Sequence, residues 1–120
     1  MEIMDITYSP KPLTTDQLSA LSQEVKQALT ALYGDRLDRV ILYGSYARGD
    51  FHAESDVDYL VVLKDNNFRQ SQETDRFWDL TWDTWLRYGV WLSIRAVFVE
   101  KYQQSDLFFY RNVRHEGIFL

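Results

Sequence analysis

Apolar residues recur at every third or fourth position in the first part of the chain. The residues in this stripe are Leu18, Leu21, Val25, Ala28, Leu29 and Leu32. Such spacing places them on one face of an amphipathic helix, which we expect to cover one side of a sheet. Thr14 and Gln17 have the spacing of a capping box, and Gly34 is a natural stop. Before this helix, Pro10 and Pro12 predict that the first dozen residues are irregular or extended.

Three apolar runs predict strands. Residues 39–43 form a short β-branched and aromatic run that ends at Gly44-Ser45, as a buried strand leading into a tight turn would. Residues 44–55 are then a connecting loop. Residues 56–63 and 90–99 predict a second and a third strand, and the apolar end of the second implies cover on both of its faces.

The remaining pattern predicts helices. Residues 71–88 are expected to form one long helix ending at Gly89, and a short last helix is expected within residues 102–113. The long helix carries two adjacent aromatic stripes, more than a single core face needs. Some of Phe77, Trp78, Trp82 and Trp85 are therefore candidates for contact with a partner, whereas burial in the core is the simpler interpretation of one stripe.

Length and composition narrow the class of protein. The 120 residues fit a single domain, 1–120, and a hydrophobic content of 46% places the chain outside the disordered class. A net charge of -5 argues against direct binding of nucleic acid. The chain has no cysteine, no signal peptide and no apolar run long enough for a membrane span, which together predict a cytoplasmic protein. His52 and His115 have no second His or Cys at ligand spacing, so we expect surface or hydrogen-bonding roles for them.

The candidate chemistry lies in Gly44-Ser45, ten further residues, and then Asp56-Val57-Asp58. Because side chains alternate along a strand, Asp56 and Asp58 should face the same way, about 6.6 Å apart along the strand at ~3.3 Å per residue. Two such carboxylates suit Mg²⁺ together with phosphate oxygens of a substrate. The phosphate loop of ATPases and GTPases, Gly-x4-Gly-Lys-Ser/Thr, does not occur in the sequence.

The turn before these carboxylates is suited to phosphate. Gly44 permits close approach of a ligand, and Ser45 offers a hydroxyl and opens a short helical turn with free N–H groups. Arg48 lies in the same turn, and two roles are open for it. Its guanidinium either contacts phosphate or fixes the loop through Asp50 or Glu54.

Residues 44–49 (Gly-Ser-Tyr-Ala-Arg-Gly) and 55–62 (Ser-Asp-Val-Asp-Tyr-Leu-Val-Val) resemble the minimal nucleotidyltransferases of the DNA polymerase β superfamily. The similarity extends over most of the chain, including residues 110–117. It implies an α/β (α+β) domain in which a small mixed sheet is flanked by helices. It also implies that Gly44 and Ser45 form the triphosphate-binding turn, that Asp56 and Asp58 are two of three metal-binding carboxylates, and that Mg²⁺ and ATP are the metal and the co-substrate.

The third carboxylate of that family is not evident. The family places it in the strand after the long helix, where this chain has Ser93 or Arg95, and the next acid is Glu100. Two explanations are open. Glu100 or a partner protein supplies the missing group, or the charge of Arg95 replaces a metal and the protein only binds.

The resemblance implies an antitoxin paired with a HEPN ribonuclease toxin in a hetero-oligomer, transferring AMP from ATP to a tyrosine hydroxyl of that toxin. A second hypothesis is a binding module that has lost its chemistry and neutralises the toxin by contact. A third, weaker hypothesis is a transferase for a small hydroxylated molecule such as an aminoglycoside.

Overall fold

A four-stranded mixed sheet organises the computed structural model, which describes residues 10–120. The strands are β1 (Leu37–Tyr43), β2 (Val57–Leu63), β3 (Leu92–Phe98) and β4 (Ile118–Phe119), in the spatial order β3-β2-β1-β4. β2 runs antiparallel to β1 and parallel to β3, and β4 runs antiparallel to β1. The predicted mixed sheet with flanking helices is confirmed. The predicted irregular start is seen over residues 10–14, and its first part, residues 1–9, lies outside the described residues.

In the described part of the chain, six α-helices flank the sheet: α1 (Thr15–Tyr33), α2 (Ser45–Arg48), α3 (Gln70–Arg76), α4 (Trp78–Tyr88), α5 (Val99–Gln104) and α6 (Phe108–Glu116). The predicted ends of α1 are confirmed. Thr14 caps its start, with Thr14 Oγ1 accepting from the Gln17 N–H at 3.1 Å, and Gly34 caps its end. None of the helices in residues 10–120 is long and apolar enough to cross a membrane.

Strand alternation divides the core between the two faces of the sheet. Val57, Tyr59, Val61 and Leu63 of β2 point to a larger cluster that contains most of the apolar stripe of α1. Leu32, which was predicted to belong to that stripe, is 41% exposed, and the neighbouring Tyr33 is buried in the cluster instead. Leu60 and Val62 point to the opposite face, where a smaller cluster includes residues of α5 and α6. Asp58 has the same parity as Leu60, so its carboxylate lies on the α5–α6 face, at the end of that smaller core.

Two predictions about helices are wrong in detail. The long helix expected at 71–88 is two helices that meet at Phe77, whose N–H lies 3.1 Å from the Glu73 oxygen and 3.2 Å from the Thr74 oxygen. This sharing of one N–H marks a locally tightened turn, which side-chain periodicity does not reveal. The region after β3 holds two helices, α5 and α6, instead of one, and the chain ends in the short strand β4.

Candidate active site

Gly44 and Asp58 pack directly against each other at the ends of β1 and β2. Gly44 has φ 74° and ψ −156°, a combination open essentially to glycine alone. A Cβ atom built on Gly44 would overlap Oδ2 of Asp58. The glycine is therefore required twice, once by its backbone conformation and once by the carboxylate that occupies the space of a side chain.

The predicted helical turn after Gly44 is confirmed as α2. The N–H groups of Ala47 and Arg48 donate to the Gly44 oxygen at 3.1 and 3.0 Å. Within residues 10–120, the N–H groups of Ser45 and Tyr46 donate to no protein acceptor. Tyr46 is buried and its hydroxyl accepts from the Leu13 N–H at 3.0 Å, which anchors the turn to the start of α1.

Arg48 fixes the loop in this structure. Its Nε lies 3.1 Å from Oδ2 of Asp50, and its Nη1 lies 3.0 Å from Oε1 of Glu116 at the end of α6. Of the two roles left open by the sequence, loop bracing is thus the one with visible contacts, and it uses Glu116 where Glu54 was considered. A contact between Arg48 and phosphate stays a prediction.

Asp58 is half-buried, whereas Asp56 is exposed one residue before β2 begins. Burial, helped by the nearby charge of Asp56, raises the pKa of Asp58 to about 6, against a hydrogen bond from Ser93 and the charge of Arg48, which lower it. Within residues 10–120 no three His, Asp or Glu side chains gather to hold a metal ion. A metal at this pair would therefore need phosphate oxygens to complete its shell, which is how Mg²⁺ commonly binds.

Ser93 occupies the position opposite Asp58. The two residues are register partners in the parallel β2–β3 pair, and the Ser93 side chain is a nearby donor that lowers the pKa of Asp58. A neutral donor thus supports Asp58 at the place where the family resemblance predicts a third acid.

Glu100 cannot take the part of the third carboxylate. It follows Phe98, the partner of Leu63, at the opposite end of β2 from Asp58. Five residues of strand separate the two ends, about 16 Å at ~3.3 Å per residue. The explanation that assigned the missing group to Glu100 is therefore wrong.

Arg95 points to the same face as Asp58 and Ser93, and its guanidinium carbon lies 5.0 Å from the ring centroid of Phe109. It borders a cleft of about 380 Å³ between the edge of β3 and the helices α3, α5 and α6. The cleft is lined by Gln70, Thr74, Ser93, Ile94, Arg95, Lys101 and Tyr110. Two cations and a tyrosine therefore surround a space that begins at Ser93, beside Asp58.

Sequence reasoning missed Tyr43 and Lys101. Tyr43 pairs with Asp58 across β1 and β2, and burial, together with the charge of Asp58, raises its pKa to about 12. Strand alternation could have found Tyr43, because it is the last strand residue before Gly44. Lys101 lies on α5 after the third strand, and its place in the cleft depends on how α5 folds back, so no local pattern indicates it.

The two histidines agree with the prediction of surface or hydrogen-bonding roles. Nδ1 of His52 accepts a hydrogen bond from the Glu54 N–H at 3.1 Å, and His115 is exposed near the end of α6.

Comparison with known proteins gives a consistent result. The model of the family "Nucleotidyltransferase domain" matches residues 22–113. A "Putative protein adenylyltransferase" of Methanocaldococcus jannaschii is 38% identical over 96 residues, which is 79% of this chain and 89% of that protein. Another protein of that name and organism is 47% identical over 49 residues, 41% of this chain, and the match spans only 50% of that relative's length.

Among solved structures, the fold is similar to a chain in a "Crystal structure of the toxin-antitoxin with AMP-PNP". The TM-score is 0.55 at 18% identity, covering 82% of this chain and 70% of the other. At this identity the likeness concerns the fold.

Proposed function

Since the chain belongs to the nucleotidyltransferase domain family, we propose that it transfers AMP from ATP to a hydroxyl group of a partner protein. The observation that carries this proposal is the contact of Gly44 with Asp58, which joins the turn before α2 to the two carboxylates. The open N–H groups of the turn can bind the triphosphate. The pair of acids can share the Mg²⁺ ion that accompanies it.

Asp56 and Asp58 are the residues that would hold Mg²⁺, which when bound neutralises charge on the triphosphate. The residues of the chain account for the rest of the site. Gly44 makes room for the Asp58 carboxylate beside the turn, and Ser45 with its neighbouring N–H groups offers donors to phosphate oxygens. Asp58 must be ionised for this role, and burial raises its pKa to about 6.

The acceptor hydroxyl approaches from the cleft at Ser93. In-line displacement places the attacking and leaving oxygens on opposite sides of the phosphorus. With the pyrophosphate toward Ser45, the attacking oxygen comes from the other side of Asp58, where the cleft opens. A new bond forms between that oxygen and the α-phosphorus, the bond to pyrophosphate breaks, and the hydroxyl proton leaves to solvent. The positive charge of Arg95 at the cleft favours the deprotonated acceptor.

We infer that the partner is a HEPN-type ribonuclease toxin, that a tyrosine receives the AMP, and that the chain acts as the antitoxin in a cytoplasmic hetero-oligomer. Support comes from the family resemblance of residues 44–62 and from the toxin–antitoxin complex that shares the fold. A tyrosine is a suitable acceptor for a site that offers a cation instead of a third carboxylate, because its phenol ionises more easily than an aliphatic hydroxyl.

The test is transfer of labelled AMP. The chain is incubated with α-labelled ATP, Mg²⁺ and a HEPN toxin, and label is followed onto the toxin. We expect labelling by the native chain, none by Asp56→Asn or Asp58→Asn, and full labelling by Asp106→Asn, an exposed aspartate outside the site. Absence of label with the native chain, or label that persists in both site variants, contradicts the proposal.

A second candidate function is neutralisation of the toxin by contact alone. The observation that favours it is Ser93, which stands where a third carboxylate would complete the metal site. In that case Asp58→Ala abolishes nucleotide binding but leaves the toxin neutralised. Loss of neutralisation while the two proteins still bind each other argues for the enzyme instead.

A further inference from the structure

Large apolar side chains are exposed together along α4 and at the start of β3. Trp78, Trp82 and Trp91 are 59%, 46% and 38% exposed, and Leu86, one turn beyond Trp82, is 65% exposed. We call these four residues the tryptophan patch. Phe77, another aromatic residue considered for partner contact, is only 3% exposed and belongs to the core.

The indole rings of the patch are ordered against one another. Trp78 and Trp82 stack with centroids 6.4 Å apart, and Trp82 lies 6.3 Å from Trp91. Trp91 stacks in turn on Trp85 at 4.7 Å. A preformed row of rings loses little conformational freedom when it is covered, which favours its use in binding.

The patch reaches the candidate active site. The carbonyl of Trp91 accepts a hydrogen bond from the Val57 N–H at 2.9 Å, and Val57 directly follows Asp56. Asp56 and Glu54 also line one small recess with Trp85 and Trp91. A protein that covers the patch therefore lies beside the carboxylate pair.

The charge around the patch is negative. Asp79 lies three residues before Trp82 on α4, which makes the two residues neighbours on the helix surface. Asp75 lies near the end of α3, two residues before Phe77, where α3 and α4 meet. Neither forms an ion pair within residues 10–120, and the same holds for Glu54 and Asp56. Two cations lie near the patch. Arg87 of α4 is already paired with both Glu24 and Asp83, and Arg76 at the end of α3 is paired with Glu73 at 3.7 Å.

We propose that the tryptophan patch docks an arginine- and lysine-rich surface of the acceptor protein and so brings its hydroxyl to the site. This inference rests on the proposed transfer of AMP to a protein. Indole faces attract guanidinium groups through cation–π contacts, and carboxylates bind them through paired hydrogen bonds. The patch offers both kinds of group side by side, which is the chemistry that recognises a basic surface.

The direct test uses two fluorescein-labelled peptides, each with one tyrosine flanked by arginines or by glutamates, and measures binding to the full chain by anisotropy. We expect the arginine peptide to bind and the glutamate peptide not to bind. The double variant Trp78→Ser/Trp82→Ser should weaken the arginine peptide about tenfold or more, and Asp79→Asn about threefold. A higher salt concentration should also weaken binding of the arginine peptide to the native chain.

A matched control is Leu107→Ser/Phe108→Ser, which removes two side chains that are 61% and 77% exposed at the start of α6. It should leave peptide binding unchanged. Equal binding of the two peptides, no binding of either, or an equal loss in this control overturns the proposal.

Two further measurements distinguish the acceptor protein from other possible occupants of the tryptophan patch. Stabilisation by Mg-ATP, read as a thermal shift, should be the same in the native chain and in the tryptophan variant. A loss there assigns the patch to the nucleobase and overturns the proposal. Sedimentation that shows a dimer broken by the same variant assigns it to a second copy, with the same consequence. A normal ATP shift without peptide binding rejects the patch alone, whereas peptide binding without any ATP shift rejects the proposed transfer.

Discussion

At Gly44 a backbone constraint and a side-chain contact act on the same residue, and each can be tested separately. Gly44→Ala must accept an unfavourable φ and ψ and also displace the Asp58 carboxylate. Gly89→Ala shares the positive φ, 71° against 74°, but its new Cβ would meet nothing within 4 Å.

We predict that Gly44→Ala lowers the free energy of unfolding by about 2–3 kcal/mol, against about 1 kcal/mol for Gly89→Ala, in urea titrations. Only Gly44→Ala should abolish the thermal shift caused by Mg-ATP. An ATP shift retained in Gly44→Ala would show that the contact with Asp58 does not matter for the nucleotide.

The raised pKa of Asp58 predicts a pH dependence of binding. The carboxyl is mostly neutral below about pH 6 and ionised above it, and only the ionised form can hold the metal of Mg-ATP. Affinity for Mg-ATP should therefore rise up to about tenfold per pH unit below 6 and level off above it. Calorimetric titrations between pH 5 and 8 measure this. Asp58→Asn should bind weakly at every pH, and a native affinity that is flat from pH 5 to 7 contradicts the prediction.

The free energy of unfolding should change with pH in the direction opposite to the affinity for Mg-ATP. A carboxyl whose pKa is raised on folding favours the folded state most when it is neutral, near and below pH 3.8, and this advantage is lost as the pH rises through about 6. Because Asp58 is only half-buried, we expect the loss to be on the order of 1 kcal/mol. The difference in free energy of unfolding between the native chain and Asp58→Asn, measured at pH 4 and pH 7, isolates this contribution.

Among the elements, those with strong local patterns could be predicted and those that depend on distant pairing could not. The capping box at Thr14 and the stripe of α1 specify that helix from nearby residues. The capping box is confirmed, and so is most of the stripe, whereas Leu32 at its end is exposed. β4 exists because Ile118 and Phe119 pair with Leu42 and Ile41, far away in the chain. Two residues carry no periodicity, so nothing local indicates this strand.

The candidate active site is likewise divided into parts that local sequence predicts and parts that depend on distant residues. The alternation of β2 predicts that Asp56 and Asp58 share a face, and the turn at Gly44-Ser45 was correctly expected. The cleft was not, because it needs Arg95 from β3 and Lys101 from α5 to meet Gln70 of α3. Gln70 closes the edge of β3 by exchanging hydrogen bonds with the backbone of Ala96, a contact that only the assembled fold creates.

The contact that joins α1 to α3 is a buried hydrogen bond, from the Tyr33 hydroxyl to Oε1 of Glu73 at 2.6 Å. Glu73 is 2% exposed, so within residues 10–120 Tyr33→Phe leaves a buried carboxylate with only Arg76, 3.7 Å away, as a side-chain partner. We predict a loss of about 1–3 kcal/mol in urea unfolding. Tyr88→Phe removes a hydrogen bond to Glu24 nearer the surface and should cost less than about 0.5 kcal/mol. Equal losses in the two variants would show that burial of Glu73 adds nothing.

Across the whole molecule, the loop after β1 is tied to the end of the chain. Arg48 and Glu116 are 68 residues apart, and their ion pair joins α2 to the last residue of α6. Next to it, Gly117 packs so closely on Ile41 that a Cβ there would overlap the isoleucine. The C-terminal segment therefore supports the same loop that carries Gly44 and Ser45.

This link separates the two roles of Arg48. If its guanidinium reaches phosphate when nucleotide binds, Arg48→Gln should weaken Mg-ATP about five- to tenfold, whereas Glu116→Gln, which releases the guanidinium from one partner, should stay within about twofold of the native affinity. Calorimetry of both variants gives the comparison, and their unfolding midpoints should match that of the native chain because the pair is exposed. An equal loss in the two variants means that Arg48 acts only by bracing the loop against α6. If Arg48 contacts phosphate, nucleotide binding would also change the ion pair between Arg48 and Glu116, and α6 would respond to the nucleotide.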